Sequence, residues 1–524
     1  MILIILVLTF LACLSPTLTL LSLWQVKEWR LDRLMEHLKR EGIASQLYGT
    51  LRPRILGASM LIAIVGFIFT DPVFIGTEVT LGLLIVLAVL SCVQILLRKQ
   101  PLPVFTAKAL LMLALSIVIP MLFLISLSSL PLLVIIPFLC PLWILLSWLL
   151  TKPIDQFLKK RTLSTATNLR LAHPNITVIG ITGSVGKTTT KELLAHILKK
   201  QGALATPVHV NTEMGVAAWF IKILKDKPTD WPGILIVEMG AYTKGEIKLL
   251  SEIARPKFGI ITFIGEQHLA LFGSLEAIRD AKGELFAALP DDGAAFMNHD
   301  NAMSEKLRDL CRCPVTTVGT DGRADLCALD IEETGNGIRF TVENQRFLVP
   351  LAGTHLVTSV LFAIAASLKL GMTLPEIAKE LKTFVSLARS FQVKTIRGVT
   401  VLDDTYNSSP DSFRAAIAWA KEQPHLEKVL LVDGIIELGS SEASVHAELS
   451  KEAAKVFGRV CIGNARFLKY FRDNGFGDRA VLLSSRPQPL KTGDLLVCVG
   501  RVPRTAIDEL LPVSTEDMDL PLRK

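Results

Sequence analysis

The stretch "VIGITGSVGKTTTKE", residues 178–192, decides how most of this chain folds. The run 176–181 (ITVIGI) is short and apolar, as a buried parallel strand is, and 188–200 reads as a helix. Between them lies Gly183-Ser184-Val185-Gly186-Lys187-Thr188, with Thr189 behind it. Glycines let backbone N–H groups close around phosphate oxygens, and a helix N-terminus adds its dipole. Lys187 is placed to reach terminal phosphates and Thr188 to hold Mg²⁺. The spacing is a variant: Ile181 stands where the strict G-x-x-x-x-G-K-[ST] pattern wants its first glycine, and the glycines fall at 180, 183 and 186. A strand, a phosphate loop and a helix in this order predict an α/β domain with a parallel sheet.

Upstream of the loop the chain changes character. The protein has 524 residues, enough for three or four units. Half of its residues are hydrophobic and its mean hydropathy is +0.45, with the excess in the first 150 positions. Five apolar segments stand out, at 2–24, 55–70, 75–97, 109–127 and 130–151, each near the ~20 residues of a membrane-crossing helix. The first lacks the basic start and small-residue cleavage site of a signal peptide. Loop charge alternates: Lys27, Arg30, Arg33, Lys39, Arg40, Arg52 and Arg54, then none near 70–76, then Arg98, Lys99 and Lys108, then none at 128–129, then Lys152, Lys159, Lys160 and Arg161. By the positive-inside rule the N-terminus lies outside the inner membrane and the long C-terminal part in the cytoplasm. Leu31, Leu34, Met35 and Leu38 predict an amphipathic helix over 28–41, on the inner leaflet or as a simple connector. No charge sits deep in a span, so nothing marks an ion pathway.

Composition excludes some functions. The net charge of +7 reflects basic residues flanking the apolar segments, and no basic run with interleaved aromatics points to nucleic acid. The eight cysteines include no C-x-x-C, only Cys311-Arg-Cys313, which suits a reduced, cytosolic compartment.

The motifs together resemble the Mur ligases, the ATP-dependent amide-forming enzymes of peptidoglycan synthesis, and among them the type that adds D-alanyl-D-alanine. The resemblance rests on "GITGSVGKTTTKE" (180–192), "VNTEMGVA" (210–217), "VEMGAYTKGEI" (237–247), "IGEQHLALFGSLEAIRDAKGELFAALP" (264–290), "LDDTYNSSPDS" (402–412) and "IIELG" (435–439) with His446, and covers 175–515. It implies a P-loop central domain at 156–384 and a smaller Rossmann-like domain at 385–524, behind a membrane region at 1–155. That membrane region stands where the family has a UDP-sugar-binding domain.

Site residues follow in the same way. Glu238 ends the apolar run "ILIVE", at a strand tip where α/β sites form, and His268 follows the run "FGIITFIGEQH". Taken alone, Glu238 reads as a helix cap or a metal ligand, and His268 as a buried hydrogen-bonding side chain or a metal ligand. The resemblance implies that both bind Mg²⁺, with Thr188, at a site for two ions. Lys282 alone reads as a helical lysine paired with an acid; the resemblance implies a lysine carboxylated by CO₂ that binds the second metal. It also implies that Arg389, Asp404, Tyr406 and Asn407 contact ATP, and that Lys187, His268 and Lys282 serve catalysis. The expected reaction joins an amino acid or dipeptide to a peptidoglycan-precursor carboxylate, lipid-linked or not, through an acyl phosphate. The alternatives are a membrane-anchored polyglutamate-type synthetase and a non-catalytic scaffold. Departures from the family are Gly353-Thr354-His355-Leu356-Val357-Thr358-Ser359, which lacks two adenine-side asparagines, the reversed Asp433-Gly434, and Val499-Gly500-Arg501-Val502.

Overall fold

The computed structural model describes residues 2–48, 72–97, 100–126, 136–386, 389–406, 409–425, 427–435 and 438–512. The chain forms two compact units, Met1–Lys160 and Arg161–Lys524.

The first unit is helical. Ile2–Val26, Pro72–Leu96, Ala107–Ser126 and the start of Cys140–Leu171 are long helices, with the shorter Leu31–Glu41 and Ile43–Tyr48 between the first two. By length and composition two described helices can cross a bilayer, Leu3–Val26 and Ile136–Leu171, while Leu81–Leu96 and Ala107–Phe123 are shorter apolar helices. The expected segment 55–70 lies outside the described residues, so the five-span bundle is met only in part. The last helix also runs past the expected end of the membrane part, because polar Lys159–Asn168 continues it without a breaker. The amphipathic stripe divides: Leu34 and Leu38 enter the unit's own core, while Leu31 and Met35 stay exposed. Hydropathy alone hides one feature of this unit, a polar contact between helices. The Ser15 hydroxyl donates to Gln94 Oε1 at 2.8 Å, and Ser91 Oγ accepts from the Ser15 N–H at 2.8 Å.

The second unit is built on two sheets. The first holds β1 (Thr177–Thr182), β2 (Leu204–Ala205), β3 (Ile234–Glu238), β4 (Phe258–Ile261), β5 (Ala294–Asn298), β6 (Val315–Gly319), β7 (Leu326–Thr334), β8 (Gly337–Val342) and β9 (Gln345–Val349), in the order β2-β3-β1-β4-β5-β6-β7-β8-β9. It is parallel as far as β7, and β7–β9 form an antiparallel meander. Val178, Ile179 and Ile181 are all fully buried, as a strand covered on both faces requires. After β1 the chain goes to the edge strand β2 on one side, returns to β3 beside β1, then crosses to β4 on the other. The tip of β1 is therefore a topological switch point, where open α/β sheets bind ligands.

The second sheet holds β10 (Gln392–Ile396), β11 (Val399–Asp404), β12 (Lys428–Val432), β13 (Arg459–Ile462), β14 (Ala480–Leu482) and β15 (Leu495–Val499), in the order β10-β11-β15-β12-β13-β14, parallel except for β10. One apolar cluster runs from Ile179 and Leu193 through Phe362 and Phe391 to Phe413 and Val432, joining both sheets.

Candidate active site

The phosphate loop leaves β1 at Thr182 and enters the helix Lys187–Ile197. Gly183 (φ 149°) and Gly186 (φ 85°) take backbone angles that side chains resist. A methyl group at Gly186 would also stand 2.9 Å from Ser359 Oγ, which brings the altered 353–359 stretch against the loop. The loop is pinned to the segment after β4: the Ser184 N–H donates to Phe263 O at 2.6 Å, the Ser184 hydroxyl to Gly265 O at 2.9 Å, and the Thr262 hydroxyl to Val185 O at 2.5 Å.

Thr188 and Glu238 meet directly, with Lys187 near Glu238 and Lys282 near Lys187, while His268 packs on Tyr242. Lys187 Nζ donates to Gly183 O at 2.6 Å, and burial holds its pKa below the usual lysine value against the pull of Glu238. The Thr188 hydroxyl donates to Glu238 Oε2 at 3.0 Å. Glu238 is 4% exposed at the tip of β3, next to the β1 tip. Lys282 lies buried on the helix Leu275–Ala287. Burial first, and repulsion from Lys187 second, hold its pKa well below the ordinary lysine value. The expected pairing of Lys282 with an acid is not present among the described residues. His268 begins the short helix Leu269–Phe272 in a left-handed conformation, its ring 4.6 Å from that of Tyr242.

Two residues gripping Glu238 escaped the sequence reading. Lys191, fully buried one turn beyond Lys187, places Nζ 3.3 Å from Glu238 Oε2. Asn211 Nδ2 donates to Glu238 Oε1 at 3.2 Å. The spacing Lys187-x-x-x-Lys191 was the available signal for the first, since i and i+4 share a helix face.

The second sheet brings its own residues. Arg389 Nε donates to Thr405 Oγ1 at 2.7 Å and Nη2 to Val502 O at 2.8 Å, and the Tyr406 N–H donates to Arg389 O at 2.9 Å. The Tyr406 hydroxyl lies close to Thr188 and within 3.2 Å of His209 Nδ1, so Tyr406 stands at the phosphate loop. Burial pushes the Asp404 carboxyl up to about 7, opposed by the Phe391 N–H. Asn407 lies outside the described residues. His446, quoted with the 435–439 motif, is a core residue: Nε2 accepts from the Ile435 N–H at 3.0 Å and Nδ1 lies 2.7 Å from Glu442 O, the pattern of a neutral ring. Cys311 is pushed up to about 12 by burial, which makes it a poor thiolate.

The donor set suits a metal-bound polyphosphate. Among the described residues no group of three or more His, Cys, Asp or Glu side chains is arranged around one point. Mg²⁺ needs no such cage, because it keeps waters and shares phosphate oxygens with one or two carboxylates. Glu238 with the Thr188 hydroxyl, with Lys191 against the carboxylate and Lys187 close by, answers that description.

Comparison with known proteins agrees with this geometry. Residues 181–367 match the Mur ligase middle domain. The chain is similar to UDP-N-acetylmuramoyl-tripeptide--D-alanyl-D-alanine ligase of Mycobacterium tuberculosis, 34% identical over 320 residues, 58% of this chain and 62% of that protein. The chain thus spans less than two thirds of that relative's length. Among solved structures it resembles MurF from Acinetobacter baumannii, with a TM-score of 0.60 and 24% identity, covering 67% of this chain and 80% of the other. It also resembles MurF ligase from Thermotoga maritima in complex with ADP, with a TM-score of 0.57 and 24% identity, covering 66% and 82%. These two likenesses establish the fold.

Proposed function

We propose that this protein is an ATP-dependent ligase that joins an amino acid or dipeptide, D-alanyl-D-alanine first among them, to the carboxylate of a peptidoglycan precursor. The observation that carries the reading is the convergence of Lys187, Thr188, Glu238 and Lys282 at the tips of β1 and β3, within a Mur ligase middle domain.

The acceptor carboxylate attacks the γ-phosphorus of ATP, the bond to the β-phosphate oxygen breaks and ADP leaves. The amine then attacks the acyl phosphate, an amide forms, phosphate departs and the amine's proton is lost. Backbone N–H groups of Val185–Thr189 cradle the phosphates, and Lys187 stabilises charge on the transferring group. Mg²⁺, for which Thr188, Glu238, His268 and Lys282 are the candidate ligands, supplies further charge neutralisation. Arg389, Asp404 and Tyr406 hold the nucleotide from the side of the second sheet.

A carboxylated Lys282 belongs to this reading. Burial and the nearby Lys187 charge hold the Lys282 pKa well below the ordinary lysine value, so its amine gives up its proton more readily than an exposed lysine does. Its nitrogen can attack CO₂; the N–C bond forms, a proton leaves, and the product is an anion beside Lys187. The altered charge replaces a repulsion with an attraction. Intact mass and ¹³C spectra after equilibration with labelled bicarbonate test this; a plain amine in active enzyme overturns it.

The acceptor is presented at the cytoplasmic face of the inner membrane. The support is apolar surface on the first unit's helices: Val89, Val93, Leu96, Leu110, Leu122, Leu149 and Leu150 are all exposed. The test supplies full-length protein in lipid nanodiscs with ATP, Mg²⁺ and a panel of amino acids and dipeptides, on UDP-linked and polyprenyl-linked forms of one muropeptide. Phosphate release with the product's mass is the expected outcome, with the higher kcat/KM on the lipid-linked form. ATP-dependent product with neither form defeats the ligase reading if it fails to appear across the panel; equal kcat/KM on both forms defeats the membrane-acceptor reading alone.

A further inference from the structure

The segment between β2 and the helix Glu213–Leu224 holds Glu238 at both of its ends. At one end the Thr206 N–H donates to Ile236 O at 2.9 Å, and Thr206 Oγ1 accepts from the Glu238 N–H at 3.1 Å. At the other end Asn211 Nδ2 donates to Glu238 Oε1 at 3.2 Å, while Asn211 O accepts from the Gly240 N–H at 2.8 Å. Between these grips the chain turns, with the Val210 N–H on Pro207 O at 3.0 Å, and puts His209 at its apex.

His209 is exposed and takes φ 68°, a left-handed angle uncommon outside glycine, though histidine enters it more often than most residues. Its own burial does nothing to hold it there. Its ring lies on that of Tyr406, centroids 5.1 Å apart and planes within 16°, and its Nδ1 is 3.2 Å from the Tyr406 hydroxyl oxygen. Tyr406 belongs to the second sheet, tied there through Arg389 to Thr405 and Val502. A continuous set of contacts therefore runs from the second sheet through Arg389, Tyr406, His209 and the 206–211 loop to the carboxylate of Glu238.

We infer that His209 is a positioning residue, whose stack on Tyr406 couples docking of the second sheet to the orientation of Glu238. The inference rests on the proposed ligase role of Glu238 and adds a residue that no motif contained. Strained residues over-determined by their contacts are a recurrent feature of sites that must hold one geometry. The chemistry of the contact is a face-to-face aromatic pair with one hydrogen bond, which two elements can make only when docked.

His209→Asn tests it, because asparagine tolerates the left-handed backbone and removes the ring. Amide hydrogen exchange of full-length protein should rise about tenfold at residues 208–211 and at Glu238–Gly240 together, while β12 and β15 keep their protection. In ligation, kcat should fall about tenfold with the KM for ATP within about twofold. Tyr406→Leu should reproduce the exchange pattern, and the double variant should be no worse than the worse single one. Faster exchange confined to 208–210, additive effects in the double variant, or an unchanged kcat overturns the inference. If the wild-type protein ligates nothing, the ligase reading fails, and the exchange data still decide whether His209 is coupled to Glu238.

Discussion

The tips of β1 and β3 and the tip of β11 lie in one site with opposite electrostatic character. At the first, Lys187 and Lys191 lie by one buried carboxylate, Glu238, and Lys282 lies buried near Lys187. At the second, Asp403 and Asp404 stand side by side, and Asp411 follows at the start of the next helix. Asp404 Oδ2 and Asp411 Oδ2 are buried without a hydrogen-bond partner among the described residues. Arg389 directs its guanidinium at Thr405 and Val502 instead of a carboxylate. Under the proposed function the first region receives phosphate and metal, the second hydrogen-bond donors. A nucleotide, anionic at one end and rich in hydroxyl and amine donors at the other, satisfies both.

The largest test of that contrast is Lys187→Ala. Loss of this charge should lower ligase turnover at least ~10³-fold with the circular dichroism spectrum unchanged; near-normal turnover would break the assignment of the first region. Lys282→Ala should cost about 10²-fold, and Lys282→Glu should retain more activity than the alanine variant, since it restores an anion at shorter reach. Equal rates for the two variants would remove the anionic role.

Asp404 sharpens the other side. Burial raises its folded pKa to about 7, above the ordinary aspartate value of 3.8. The folded state therefore holds the proton more tightly than the unfolded chain, and stability falls as pH rises from about 4 to about 7, then levels. Asp404→Asn should remove this slope and raise stability at pH 8 by up to about 4 kcal/mol. Thermal melts from pH 4 to 8 measure it, and a parallel slope in both proteins would refute it. The smallest effect concerns the contact between the two sheets far from the phosphates. The Trp419 indole N–H donates to Glu333 Oε1 at 2.6 Å, and Glu333 Oε2 accepts from the Gly353 N–H at 3.1 Å. Trp419→Phe should destabilise by about 1–3 kcal/mol in denaturant titrations, the range for a hydrogen bond to a charged group, without changing the pH slope that Asp404 sets.

Legibility differed between the same regions. The phosphate loop was readable because glycine spacing, an apolar strand and a following helix are local patterns, and Glu238 because a strand tip is marked by the end of its apolar run. The burial of Lys282 was not readable: taken alone it reads as a helical lysine paired with an acid, and only packing takes it out of water. The second sheet was readable as motifs, yet the reading of His446 went no further than its place in one. The aromatic stack that makes it a core residue, with Phe467 at 4.9 Å and Tyr470 at 5.3 Å, joins residues more than twenty positions away.

By itself the sequence determined the phosphate loop, the order of the site motifs, the apolar helices at the front and the two α/β parts behind them. Each of these is written in spacing over a few to some twenty residues, where backbone geometry and hydropathy act directly. Only the tertiary structure decided which side chains meet. Strand order β2-β3-β1-β4 sets Glu238 beside the loop and brings Lys191 and Asn211 onto it. Docking of the second sheet lays Tyr406 on His209, 197 positions earlier in the chain. Contacts at such separation depend on how whole elements pack, and no local pattern encodes them.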